Sequence, residues 1–167
     1  MTLHAITEYL RYKWTAKGRH GTHSPFVYAL VDDVLLNDKS KVGIFALKFS
    51  QAGAYYEQLL QRIAGYYGYH SLLTVPINSA IPAGQLCDIL LIKAADVALL
   101  NQNLPLLQRD GMAVVTNIHT TAAHSVAWRA ICANEEVSMS IDLYGTGLLF
   151  FKQAFKEKQH FVLQHKG

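Results

Sequence analysis

Asp88-Ile89-Leu90-Leu91-Ile92 and Gly111-Met112-Ala113-Val114-Val115-Thr116 are short apolar runs with almost no polar interruption. A strand with one wet face alternates polar and apolar residues, whereas a strand covered on both faces has no need to. The two runs predict central strands of a parallel sheet. Ser71-Leu72-Leu73-Thr74-Val75, ended by Pro76, predicts a third strand. Ala94 to Arg109 reads as a helix that Pro105 breaks or kinks, and Thr120 to Ala133 reads as another. Val137-Ser138-Met139-Ser140-Ile141-Asp142-Leu143 alternates, which predicts a strand with one polar face. Tyr144-Gly145-Thr146-Gly147 supplies turn chemistry, and Leu148-Leu149-Phe150-Phe151 begins a partner strand. His160-Phe161-Val162-Leu163 offers one more short strand. The pattern predicts an α/β domain whose mostly parallel sheet ends in an antiparallel hairpin.

Upstream, Leu3, Ile6, Leu10 and Trp14 recur at helical spacing. Ser24-Pro25 reads as a cap and first turn, with Phe26, Val27, Leu30, Val31, Val34 and Leu35 as the apolar face of the helix that follows. Residues 37–52 suit a strand or a helical turn. Residues 53–67 form a tyrosine-rich helix that Gly68 stops. The expected division is a helical arm over 1–52 and an α/β domain over 53–167.

Hydrophobic residues make up 51% of the 167 and charged residues 16%, enough apolar material for a core, which excludes disordered and low-complexity classes. In residues 1–20, Arg11, Lys13, Lys17 and Arg19 stand against Glu8, so this segment holds the whole net charge of +3. The neutral remainder argues against a nucleic-acid partner. Cys87 and Cys132 lie in apolar stretches and read as reduced, buried thiols. No signal-peptide pattern and no apolar run of the ~18 residues needed to span a bilayer is present. The expected location is the cytoplasm, with no membrane partner.

Candidate chemistry is sparse. Arg19-His20-Gly21-Thr22-His23 places two imidazoles three apart, but no further ligand motif accompanies them, so no metal is expected. Arg19, His20 and His23 instead suit a small anion, or a basic loop whose Ser24 caps a helix. His119 follows a buried strand, at the end where open α/β sheets place ligands. A catalytic base there needs an orienting carboxylate, and Thr116, Asn117 and Thr120 supply none, so a capping or packing role competes. Ser71 and Ser79 lack a nucleophile-elbow context. After Val75 the chain reads Pro76-Ile77-Asn78-Ser79-Ala80-Ile81-Pro82-Ala83-Gly84, with prolines where a nucleotide cradle needs free N–H donors.

Lys17-Gly18-Arg19-His20-Gly21-Thr22-His23-Ser24-Pro25-Phe26-Val27-Tyr28 resembles the N-terminal signature of a bacterial family of class I S-adenosylmethionine-dependent methyltransferases. The stretch Ser138 to Lys152 resembles that family's closing hairpin, Tyr56 to Ile63 its helix before the first strand, and 87–128 its fourth and fifth strands. The resemblance implies a Rossmann-like methyltransferase core, shortened here. It implies the order 71–75, 88–92, 112–116, 148–151, 137–143 across the sheet. The family's first strand ends in an acid and a Gly-rich loop, where this chain has Thr74 to Asn78. Its fourth ends Ile-Asp, against Ile92-Lys93. Its fifth ends Asp-Asp-Ile-His-Trp, against Thr116-Asn117-Ile118-His119-Thr120, so that only His119 is kept.

These departures predict a methyltransferase-like protein that has lost S-adenosylmethionine binding and catalysis, a pseudoenzyme without a cofactor. It would act by binding a partner or a small anion at Arg19, His20, His23 and His119. The alternative is an active S-adenosylmethionine-dependent methyltransferase whose site is rebuilt from residues 76–84 and His119. The expected core is Leu73, Leu90, Ile92, Val114, Trp128, Ile141 and Leu149. The segment 71–75 is expected at a sheet edge, paired across a homodimer or covered by residues 42–49.

Overall fold

The computed structural model describes residues 3–17, 24–36, 47–49, 54–75, 86–151 and 157–165. Six strands form one sheet: β1 (Leu72–Val75), β2 (Cys87–Ile92), β3 (Leu107–Thr116), β4 (Met139–Asp142), β5 (Thr146–Phe150) and β6 (Gln159–Val162). Their order is β1-β2-β3-β5-β4-β6. β1, β2 and β3 pair in parallel, β5 is antiparallel to both β3 and β4, and β6 runs parallel to β4. Only β5 therefore runs against the others. The order expected from the sequence is present, and 159–162 adds the sixth strand.

Helix α1 (Leu3–Thr15) lies against the β4–β6 end. Helix α2 (Pro25–Leu30) starts with Pro25 in its first turn and continues as a π-helical turn over Val31–Leu35. Ser24 stands at the cap position, but its side chain makes no capping bond. Helix α3 (Ala54–Tyr67) ends at Gly68, whose φ of +68° suits glycine. The Gly68 N–H donates to the Gly65 carbonyl and the Tyr69 N–H to that of Ala64, the paired bonds of a Schellman end. Helices α4 (Val97–Asn103) and α5 (Ala122–Ala133) are capped by Asp96 and Thr121, which accept from the Leu99 and His124 N–H groups.

The sheet is covered on both faces. One core joins Val27, Leu30, Val31, Val34 and Leu35 to Leu59, Leu60 and Ile63 and to Ile89, Leu91, Met112 and Val114. The second joins Leu90, Ile92, Ala113, Val115 and Leu149 to Leu100, Trp128 and Ile131. The segment 24–36, expected in the arm, thus shares a core with the sheet.

Three expectations need correction. The helix expected to reach Arg109 ends at Asn103; Pro105 sits in a short 3-10 turn, and Leu107 to Asp110 extend β3. Leu73 is only partly buried, because β1 pairs with β2 alone among the described residues. The polar face expected on β4 is not wet: Ser140 and Asp142 are buried as fully as Met139 and Ile141. The apolar stripe Leu3, Ile6, Leu10 and Trp14 of α1 faces outward. Of the segment 42–49, only 47–49 is described, and Phe49 is buried in the first core.

Candidate functional site

Asp142 ends β4 just before a tight turn, and its carboxylate gathers donors from three directions. Oδ1 accepts the Tyr144 N–H at 2.8 Å, while Oδ2 accepts from Trp128 Nε1 at 3.1 Å and from His119 Nε2 at 2.7 Å. Tyr144 holds φ at +70°, a costly conformation for a non-glycine residue, which brings its N–H back onto the carboxylate. The Leu143 N–H donates to the Thr146 carbonyl across the turn. Tyr56 reaches the same turn from α3, its hydroxyl donating to the Leu143 carbonyl and accepting the Gly145 N–H.

His119 is 9% exposed, and its other nitrogen is also engaged. Nδ1 lies 3.1 Å from Ser125 Oγ and 3.7 Å from a Glu8 carboxylate oxygen. Ser125 Oγ is in turn 3.1 Å from His4 Nε2. One proton arrangement satisfies the whole chain of bonds. His4 Nε2–H donates to Ser125, the Ser125 hydroxyl to His119 Nδ1, and His119 Nε2–H to Asp142. The network links α1, α5 and β4, and each polar group buried in it has a partner. Ser125 is 1% exposed, so this Ser–His–Asp series does not present a nucleophile to solvent.

A cleft of about 290 Å³ opens beside this network, between α1, α5, β4 and β6. Tyr12, Trp128 and Val162 give it apolar walls, and His119 and Asp142 line it. Arg11 from α1 and Arg129 from α5 also line it; both are exposed, and neither has a salt-bridge partner among the described residues. His160 joins from β6, its Nδ1 2.7 Å from Ser140 Oγ. Cys132 lines the same cleft, and burial pushes its thiol up to about 12, so it is a neutral wall rather than a nucleophile.

The carboxyl ends of the three parallel strands β1, β2 and β3 carry no acid. β1 ends at Val75, β2 runs into Lys93 and β3 into Asn117. The Lys93 carbonyl accepts the Thr116 hydroxyl at 2.5 Å and the Asn117 amide at 3.0 Å, which closes the end of β2 with side chains. Among the described residues, no group of three His, Cys, Asp or Glu side chains stands close enough to hold a metal.

Of the residues singled out from sequence, His119 sits at the centre of the network, while Arg19, His20 and His23 lie outside the described residues. The expectation that His119 lacks an orienting carboxylate is corrected, because Asp142 supplies one from a neighbouring strand. Asp142, Glu8, Arg11 and Arg129 were missed. The one signal pointing to Asp142 was an acid ending an alternating strand. The chain matches no protein-family model, and neither a curated protein nor a solved structure matches it.

Proposed function

We propose that this chain is a methyltransferase-like protein with a reduced Rossmann-like core, acting by binding a small anionic ligand at its N-terminal helix instead of transferring methyl groups. The observation that carries this reading is the cleft with Arg11 and Arg129 at its rim above the buried His119–Asp142 pair. The negative charge of Asp142 is already met by three N–H donors, and Glu8, the other acid lining the cleft, stands 3.7 Å from His119 Nδ1 and makes no salt bridge to either guanidinium. A guanidinium binds carboxylate or phosphate oxygens in a two-pronged geometry, and two of them on separate helices can grip one acid group. The loss of methyl transfer is supported by strand ends without carboxylates, since unpaired ribose hydroxyls would cost about 1–3 kcal/mol each.

The second reading, an active S-adenosylmethionine-dependent methyltransferase, draws on the orientation of His119 by Asp142. Against it, both ring nitrogens are already engaged, so neither is open to a substrate proton. Titration calorimetry separates the two, using phosphate, citrate and S-adenosylmethionine as probes with wild type and with Arg129→Gln. Anion binding lost in Arg129→Gln, with no S-adenosylmethionine heat, supports the proposal. Low-micromolar S-adenosylmethionine binding without anion binding replaces it with the second reading.

A further inference from the structure

We propose that the outward face of α1 docks on an anionic membrane surface, with the helix lying in the plane of the interface. Leu3 is 81% exposed, Ile6 42%, Leu10 56% and Trp14 92%. Their spacing is that of a helix stripe meant to be covered by something apolar. Yet α1 docks on the domain through its opposite side. Tyr12 and Ala16 are buried there, the Tyr12 hydroxyl donates to the Leu163 carbonyl, and the Ala5 carbonyl accepts the Tyr144 hydroxyl. The domain thus presents the stripe to solvent along the full length of the helix.

Charge selects the occupant. Residues 1–20 hold the whole net charge of +3, and their one acid, Glu8, turns inward to His119. Arg11, Lys13 and Lys17 are exposed. At about 100° per residue, Lys13 borders the stripe on one side and Arg11 on the other. A convex apolar ridge with cations on both flanks suits a plane of negative headgroups over an apolar interior. Trp14, near the end of the helix, has the amphipathic ring that favours headgroup depth. A second copy of the chain would instead bring like charges together across the contact. No helix among the described residues is long and apolar enough to cross a membrane. The sequence-based expectation of no membrane partner rested on that lack of a span, and a span is not what lying on a surface requires.

Trp14 and Trp128 are the two tryptophans, and Trp128 is 2% exposed, so a change in emission on binding reports Trp14. The full chain is mixed with phosphatidylcholine vesicles, alone or with about a third phosphatidylglycerol, and followed by co-sedimentation and fluorescence. The expected result is binding to the anionic vesicles with a blue shift of emission, weakened in ~0.5 M salt. Leu10→Glu, at an exposed site, should keep the circular dichroism of wild type and bind about tenfold or more weakly. Three results overturn the proposal. One is no binding to anionic vesicles, which leaves the stripe to a protein partner. Another is Leu10→Glu binding as wild type does. The third is a wild-type dimer that ignores vesicles and that Leu10→Glu dissociates, which assigns the stripe to a second copy.

Discussion

Gly147→Ala places a methyl group inside the Trp128 ring. Gly147 lies on β5 between Val115 of β3 and Asp142 of β4, so its backbone is held on both sides. A Cβ there would stand 2.2 Å from Cη2, 2.5 Å from Cζ3 and 2.7 Å from Cζ2 of the indole. Carbon contacts settle near 3.5–4.0 Å, so the ring must retreat by about 1 Å or more. Trp128 is buried and its Nε1–H holds Asp142 at 3.1 Å, so the retreat strains or breaks that bond. Overpacking of this kind costs about 1–3 kcal/mol, and a weakened bond to a buried carboxylate adds about 1–3 kcal/mol. The expected loss is about 2–6 kcal/mol, a large share of the ~5–15 kcal/mol typical of a domain. Guanidinium denaturation followed by far-ultraviolet circular dichroism measures it. In a Trp128→Phe background the clashing part of the indole is gone, and Gly147→Ala should cost less than about 1 kcal/mol. A wild-type cost within about 0.5 kcal/mol, or strictly additive losses in the double variant, would refute the reasoning.

Asp142→Asn leaves one carbonyl oxygen for three N–H donors and turns an amide donor toward at least one of them. It should destabilise by about 1–3 kcal/mol in urea titration, and a neutral result would mean the network is slack. Burial holds the His165 ring below the usual histidine range, against the opposing pull of its bond to the Leu143 carbonyl. Its neutral form is thus favoured by folding. That contribution is complete above about pH 6.5 and is lost as pH falls through the lower folded value. The melting temperature should therefore drop from about pH 7.5 to about pH 5, and less steeply in His165→Gln. Burial raises the Cys87 thiol to about 11 and the Cys132 thiol to about 12, so neither should react with a disulfide reagent in the native protein at neutral pH, while both react after unfolding. If β1 pairs across a homodimer, light scattering gives twice the chain mass, unchanged by Leu10→Glu; the mass of one chain rules that dimer out.

The strands at the centre of the sheet were legible because burial on both faces leaves an apolar run, as in Ile89 to Ile92 and Met112 to Val115. The turn at Tyr144 to Gly147 was legible too, but not the reason for its glycines: Tyr56 and Trp128 crowd the backbone where a Cβ would stand. His119 could be placed at a strand end from sequence alone. Its carboxylate could not, because Asp142 lies 23 residues on and becomes a neighbour only through the order β3-β5-β4. Alternation in β4 was read as a wet face. A period of two reports only that polar and apolar residues differ in surroundings; here the polar side meets His119, Trp128 and His160 instead of water. In α1 the same limitation worked the other way. Helical spacing located the helix, while the polar contacts of His4 and Glu8 and the packing of Tyr12 decided which side faces the domain.

The fastening of α1 to the far end of the chain sets the timing of its assembly. Lys17 bridges to Leu163, its N–H donating to the Val162 carbonyl and its own carbonyl accepting the Gln164 N–H. The Tyr12 hydroxyl closes on a carbonyl 151 residues later. A ribosome adding ~5–20 residues each second needs roughly 8–30 s to produce that partner. Through this interval α1 lacks that anchor, and its apolar side chains are open to whatever surface is nearby. A helix made 151 residues before its anchor is therefore seated late.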